Sequence, residues 1–173
     1  LLSLSRKIPL ANITTKQGKW QKSRFLGEEV RGKVLGIIGM GNIGSIVADL
    51  GLGLKMKILA YDPFISKHKS EVDGAVKQVE NLDDLLSNSD YITLHVPLTE
   101  KTKKIISEER ILKIKRGAKL INCSRGSLVD EIALCNALES GKLSGAAFDV
   151  FDNEPALKNP LFEREDTICT PHL

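Results

Sequence analysis

Short apolar runs alternate with longer segments of helical spacing along most of the chain. The run "KVLGIIG" (33–39) is bounded by glycines and predicts a buried strand, and "NIGSIVADLGLGL" (42–54) follows with apolar residues at helical spacing. The rhythm then repeats. Strands are expected at "KILAY" (57–61) and "VKQV" (76–79), a helix over "NLDDLLSNS" (81–89) with Leu82, Leu85 and Leu86 inward, and a strand at "YITLHV" (91–96) stopped by Pro97. A helix around "SEERILKI" (107–114) opens on Ser107 as N-cap, with Glu108 and Glu109 in its first turn. "AKLINC" (118–123) reads as a strand, "DEIALCNALESG" (130–141) as a helix closed by Gly141, and "GAAFDVF" (145–151) and "TICT" (167–170) as the last strands. Such alternation calls for parallel strands joined by helical crossovers. The expected fold is α/β, a doubly wound parallel sheet in three α/β/α layers.

The first thirty residues follow a different rhythm. Leu1, Leu4 and Ile8 predict a helix over 1–9 that ends before Pro9, and the mostly polar residues 10–31 read as a connecting loop containing Trp20 and Phe25.

Length and composition narrow the classes. The 173 residues suit one domain with its own core, and 42% hydrophobic with 27% charged residues is ordinary globular usage, which argues against disorder or a fibrous repeat. The longest apolar stretches are broken by glycine and fall far short of the roughly 20 residues of a membrane span. "LLSLSRKIPL" has neither a preceding basic segment nor a small-residue cleavage site, so no signal peptide is expected. There is no initiator Met, and the chain reads as a piece of something longer. Cys123, Cys135 and Cys169 fit no zinc spacing and suit reduced thiols in a cytoplasmic compartment. The net charge of +3 is spread thinly, with short clusters at 67–69 and 113–116, which are expected as solvated faces rather than a nucleic-acid footprint.

Candidate chemistry begins at the first strand-to-helix turn. Gly39, Gly41 and Gly44 have the spacing G-x-G-x-x-G: the first allows a sharp exit, the second lets backbone approach a pyrophosphate, and the third lets helix and strand pack closely. The amides from Met40 to Ile43 would face the anion at the positive end of the helix. Asp62 closes the next strand about 18 residues after Gly44, near the offset of roughly 20 expected for an acid that binds the adenosine ribose hydroxyls. A carboxylate there repels a 2′-phosphate and favours NAD. Taken alone, Asp62 serves equally as a turn-forming residue before Pro63.

Three further groups follow later strands. Arg125 in "NCSRGSLVDE" can offer a fork of donors to a carboxylate, or pair on the surface with Asp130 or Glu131. Glu154 in "DVFDNEP" and His172 in "TPHL" follow strands expected to be neighbours, where a carboxylate would fix an imidazole as a proton carrier. Their plainer readings are an exposed loop Glu before Pro155 and a capping His. Oxidising a 2-hydroxy acid needs a carboxylate clamp, a base for the hydroxyl proton and a hydride acceptor, which Arg125, His172 and the glycine loop could supply.

"GKVLGIIGMGNIG", "YDP", "HVPLTEKT", "NCSRGSLVDE", "GAAFDVFDNEP" and "TPHL", in this order and spacing, resemble the D-isomer-specific 2-hydroxyacid dehydrogenases over effectively the whole chain. The resemblance implies a Rossmann-type NAD-binding domain spanning 1–173, cut from a two-domain enzyme whose substrate domain lies outside this sequence. It implies Arg125, Glu154 and His172 as catalytic groups, with Arg125 orienting the substrate, His172 exchanging the proton and Glu154 supporting the imidazolium. It further implies Asn42 and Ile43 as pyrophosphate-binding amides, Asp62 as the ribose acid, and Val96 and Pro97 as cofactor contacts. Cys123 and Ser124 fall on the nicotinamide side, Asp149 on the carboxamide, and the helix at 1–9 on a subunit-contact arm, so a homodimer is expected. 3-Phosphoglycerate is the best single substrate expectation, with glycerate, glyoxylate and D-lactate dehydrogenases of the same family left open. Corepressor-type proteins that sense NAD(H) keep the same residues and form the competing class. Because the sequence stops one residue after His172, no appreciable turnover is expected from this segment alone.

Overall fold

The computed structural model describes residues 1–64 and 75–173; the basic cluster at 67–69 lies outside the described residues. Seven strands form one parallel sheet: β1 Val34–Ile38, β2 Lys57–Tyr61, β3 Val76–Gln78, β4 Tyr91–Leu94, β5 Ala118–Asn122, β6 Leu143–Phe148 and β7 Thr167–Cys169. Their order is β3-β2-β1-β4-β5-β6-β7, so the chain reverses its direction of travel between β1 and β4. Each expected strand and crossover helix is present, with ends shifted by a few residues. β6, for example, runs 143–148 where 145–151 was expected. The expected doubly wound α/β fold is what the chain adopts.

Both faces of the sheet are buried, which is why its strands read as continuous apolar runs rather than alternating ones. Leu35 and Ile37 of β1 pack with Ile58, Ala60, Tyr91 and Ile121 on the face covered by helix α1 (Leu2–Ser5) and helix α3 (Asn42–Gly53), which contribute Leu4 and Ala48. Ile38, Ile92, Leu94 and Leu120 face the other way, against α4 (Leu82–Asn88), α5 (Glu108–Lys113) and α6 (Glu131–Glu139). Short polar side chains fix where those helices begin: Asn81, Ser107 and Asp130 accept backbone N–H groups of Asp83, Arg110 and Ala133.

The N-terminal region departs from the sequence expectation. Instead of one helix over 1–9 followed by a loop, α1 ends at Ser5 and α2 runs from Ile8 to Lys16. Lys7, at φ 52, caps α2 in the left-handed region, and Pro9 sits in its first turn. A proline there removes an N–H that has no helical partner anyway, so it starts this helix rather than ending the previous one. A further 3₁₀ turn spans Lys22–Phe25.

A polar cluster at the N-terminal edge of the sheet ties this region down. Glu28 accepts a hydrogen bond from the fully buried Tyr91 phenol at 2.9 Å and ion-pairs with Lys119, whose ammonium lies 5.2 Å from the centre of the Tyr91 ring. Ser5 Oγ is 2.9 Å from the same phenol oxygen, and the Glu28 amide donates to the Ser5 carbonyl at 3.1 Å. Burial disfavours the Glu28 charge, yet the hydrogen bonds from Lys119 and Tyr91 outweigh it and hold the carboxyl below its usual range. Burial, aided by Glu28, pushes the Tyr91 phenol up to about 12. A raised phenol pKa gives stability that is complete below the unfolded value near 10 and is lost as pH rises toward 12. Tyr91→Phe is expected to cost about 1–2 kcal/mol at neutral pH and to flatten the fall in stability above pH ~10, as read by urea denaturation across pH. Parallel alkaline profiles for the two proteins would contradict this account.

Candidate functional site

In a parallel sheet all strands end on one edge, and here that edge gathers the candidate cofactor and catalytic residues expected from the sequence. The glycine loop follows β1, Asp62 follows β2, Val96 and Pro97 follow β4, Cys123 to Arg125 follow β5, Asp149 and Glu154 follow β6, and His172 follows β7. Gly39 turns at φ +96, and its backbone presses so closely on the His95 carbonyl that a Cβ would lie 2.5 Å from that oxygen. At Gly44 an added Cβ would come within 1.9 Å of the Gly39 carbonyl oxygen, so helix and loop meet backbone to backbone. Gly41 differs: an added Cβ would meet nothing within 4 Å. As the N-cap of α3 it offers no side chain, so the first-turn amides of Asn42 and Ile43 begin a helix with no side-chain cap. Asp62 forms the turn its position suggested and also reaches the glycine loop. One carboxylate oxygen accepts the Phe64 amide at 2.9 Å, closing the turn after β2, while the other accepts the Met40 amide at 2.8 Å and so fixes the glycine loop.

The second group gathers around β5, β6 and β7. His172 Nδ1 lies 2.8 Å from Glu154 Oε2, and the other Glu154 oxygen accepts the Phe151 amide at 2.9 Å. Those two hydrogen bonds, the one from His172 first, hold the Glu154 carboxyl below its usual value. His172 adopts φ 58, a left-handed conformation uncommon for a residue with a Cβ. Beside the pair opens a cavity of about 680 Å³ whose lining includes Phe151, Pro155, Phe162 and Pro171. Asp149 Oδ1 accepts from Thr170 Oγ1 at 2.5 Å and from the Leu173 amide at 3.0 Å, and the Thr170 bond leads in lowering its carboxyl pKa. Cys123 sits close enough that the Asp149 charge, after burial, pushes its thiol up.

Arg125 is exposed, and among the described residues its guanidinium pairs with no carboxylate. Asp130 is taken by Lys104 at 2.9 Å, and Glu131 accepts from the Asp152 amide and the Asn159 side chain. The surface ion pair entertained for Arg125 therefore does not form. A glycine-free reading of this turn would fail too: a Cβ on Gly126 would stand 2.0 Å from the Phe151 carbonyl carbon and 2.4 Å from the Asp152 amide nitrogen. This close crossing brings the turn bearing Arg125 against the segment leading to Glu154.

Comparison with known proteins supplies the family. The family model of the D-isomer specific 2-hydroxyacid dehydrogenase NAD binding domain matches residues 1–173. The chain belongs to this family. It is 45% identical over 173 residues to the D-3-phosphoglycerate dehydrogenase of Synechocystis sp., covering 100% of this chain and 31% of that protein. It is 44% identical over 176 residues to the hydroxypyruvate reductase of Thermotoga maritima, covering 100% of this chain and 56% of that one. A solved structure of the pyruvate reductase of Chlamydomonas reinhardtii superposes with a TM-score of 0.91 at 35% identity, covering 99% of this chain and 56% of that one. The chain thus spans about a third to just over half the length of these relatives.

The cofactor of this dehydrogenase domain is NAD. The loop fits it: space at Gly41, uncapped first-turn amides on α3, and an acid at the end of β2. Among the described residues, no helix is long and apolar enough to cross a membrane.

The roles of Asn122, Thr170 and the crossing at Gly126 are not marked by periodicity or motif spacing in the sequence. Only the glycine in "SRG" carried a signal, and it marks a close approach without saying to what.

Two measurements follow from the geometry. Gly41→Ala is expected to change stability by no more than about 0.5 kcal/mol, since its site is open, while weakening NAD at least about tenfold; Gly126→Ala should cost several kcal/mol, roughly 3 or more, through its backbone clash. Calorimetric titration with NAD alongside thermal melting reads both, and an unchanged NAD affinity in Gly41→Ala would reduce the loop to a turn. For Glu154, the lowered pKa means its pairing is intact above the usual carboxylate range and is lost as pH falls through the lowered value. Carboxyl NMR should place Glu154 below the ordinary ~4.3, and His172→Ala should return it toward that value.

Proposed function

We propose that the full-length protein is a two-domain, cytoplasmic NAD-dependent dehydrogenase that oxidises a D-2-hydroxy acid, with 3-phosphoglycerate the leading substrate and 3-phosphohydroxypyruvate its product, at the start of L-serine biosynthesis. The observation that carries this reading is the His172–Glu154 pair at 2.8 Å on the same sheet edge as the glycine loop and an Arg125 with no carboxylate of its own. The 45% identity to a D-3-phosphoglycerate dehydrogenase supports the substrate.

Each role follows from the chemistry of its group. Arg125 presents paired donors to the substrate carboxylate and orients C2. His172 donates Nδ1–H to Glu154, which leaves Nε2 as the acceptor of the hydroxyl proton. Glu154 steadies the imidazolium so formed, its negative charge already favoured by the His172 and Phe151 hydrogen bonds. When bound, NAD would supply the acceptor for the C2 hydride. The Asn42 and Ile43 amides, with Gly39, Gly41 and Gly44 leaving room, would hold its pyrophosphate and Asp62 its adenosine ribose; Val96 and Pro97 would flank it, Cys123 and Ser124 would line the nicotinamide side, and Asp149 would take the carboxamide. The segment 1–173 alone does not turn over appreciably in this reading, because substrate recognition needs the second domain.

A homodimer belongs to the same proposal. Ile43, Ile46 and Leu50 are 66%, 59% and 65% exposed along one side of α3, and Trp20 beyond α2 is 86% exposed, which leaves apolar surface for a second copy.

The test is a substrate panel on the full-length protein, following NADH with 3-phosphoglycerate, D-lactate, glycerate and 2-hydroxyglutarate. Turnover is expected with 3-phosphoglycerate foremost; silence on all four would sink the enzyme reading. In the same assay Arg125→Ala should lower hydroxy-acid kcat/KM by about 10²-fold or more while NAD affinity stays within about threefold. Equal losses would recast Arg125 as a cofactor residue.

A further inference from the structure

The turn after β5 carries Cys123, Ser124 and Arg125, and its shape is set by one side chain that takes no part in the chemistry. Asn122, the last residue of β5, is fully buried. Its Oδ1 accepts the Ser124 amide at 3.1 Å, and its Nδ2 donates to the Arg125 carbonyl at 2.9 Å. One planar amide thus grips the turn at two points. The main-chain carbonyl of Asn122 also accepts the Asp149 amide at 3.0 Å, so the exit from β6 is tied to the same residue.

Arg125 has no carboxylate neighbour among the described residues to aim it. Its guanidinium instead donates through Nη1 to the Ser124 carbonyl at 2.6 Å, inside the turn that Asn122 grips. The direction of the guanidinium is therefore a property of the turn backbone. A buried amide can satisfy both its donor and its acceptor here only while the turn keeps this shape, and an apolar residue would take the Asn122 bond from the Ser124 amide and leave the Arg125 carbonyl only the longer one from the Leu128 amide at 3.3 Å.

We propose that Asn122 is the positioning residue for Arg125, holding the turn so that the guanidinium fork faces the substrate carboxylate. The inference rests on the proposed role of Arg125 as carboxylate clamp. A purely structural Asn122 would lower stability and damage cofactor and substrate use alike; a positioning Asn122 acts on substrate through Arg125 alone.

The experiment is a double-mutant cycle on the full-length protein. It measures kcat/KM for the accepted hydroxy acid, NAD affinity by calorimetry and the melting midpoint for Asn122→Ala, Arg125→Ala and the double variant, with Asn122→Asp as an isosteric change that keeps the acceptor and removes the donor. Asn122→Ala and Asn122→Asp are expected to lower hydroxy-acid kcat/KM on the order of 10- to 100-fold, with NAD affinity within about threefold of wild type, and Asn122→Ala should add no further loss in the Arg125→Ala background. Additive losses, or equal losses of NAD and substrate, would overturn the proposal. So would failure of both Asn122 variants to fold, which would make the residue structural. If Arg125→Ala itself spares hydroxy-acid use, the functional reading of Arg125 fails, an outcome the cycle separates from failure of Asn122.

Discussion

Parallel pairing of all seven strands governs the rest of this molecule. Each strand must be followed by a crossover, so every strand-to-helix turn emerges on one edge and every return on the other. The strand order reverses between β1 and β4, and it is at the carboxyl ends beside such a reversal that an open α/β sheet receives its ligand. Groups more than a hundred residues apart in the chain, such as Asp62 and His172, reach the same edge without any contact between them.

The two edges use charge differently. At the N-terminal edge Glu28 is surrounded by the Tyr91 phenol, Lys119 and Lys33, and its charge is consumed in holding α1 and the segment before β1 against the sheet. At the C-terminal edge Glu154 takes one hydrogen bond from the Phe151 backbone and spends its other oxygen on the imidazole of His172. A carboxylate braced by backbone on one side and imidazole on the other is suited to steadying a proton carrier. One walled in by lysine and phenol is suited to permanence.

Close backbone approach links architecture to chemistry. Gly44 meets Gly39 and Gly126 meets the Phe151–Asp152 peptide at separations that exclude any Cβ, whereas Gly41 faces open space. The first two are requirements of folding. Gly41 has no such neighbour: it caps α3 without a side chain and leaves open space before the first-turn amides.

The sequence by itself determined the strand-helix rhythm, both buried faces of the sheet and the glycine loop, because those depend on local periodicity and on backbone freedom that a single residue type reveals. It also supplied the site residues as candidates, since parallel topology sends every strand exit to one edge. It did not determine whether Pro9 ends one helix or opens the next, as proline is tolerated in either setting and the neighbouring turn decides. Nor did it determine whether Arg125 pairs with Asp130, which lies close in the chain but is engaged by Lys104 across space. The grip of Asn122 is a local turn bond to residues two and three further on, which the sequence allows at any Asn, whereas the meeting of Glu154 with His172, expected from neighbouring strands, was decided only by the tertiary structure. A side-chain hydrogen bond of that kind depends on where two backbones are held to within an ångström, and strands β6 and β7 fix that distance only once they are paired.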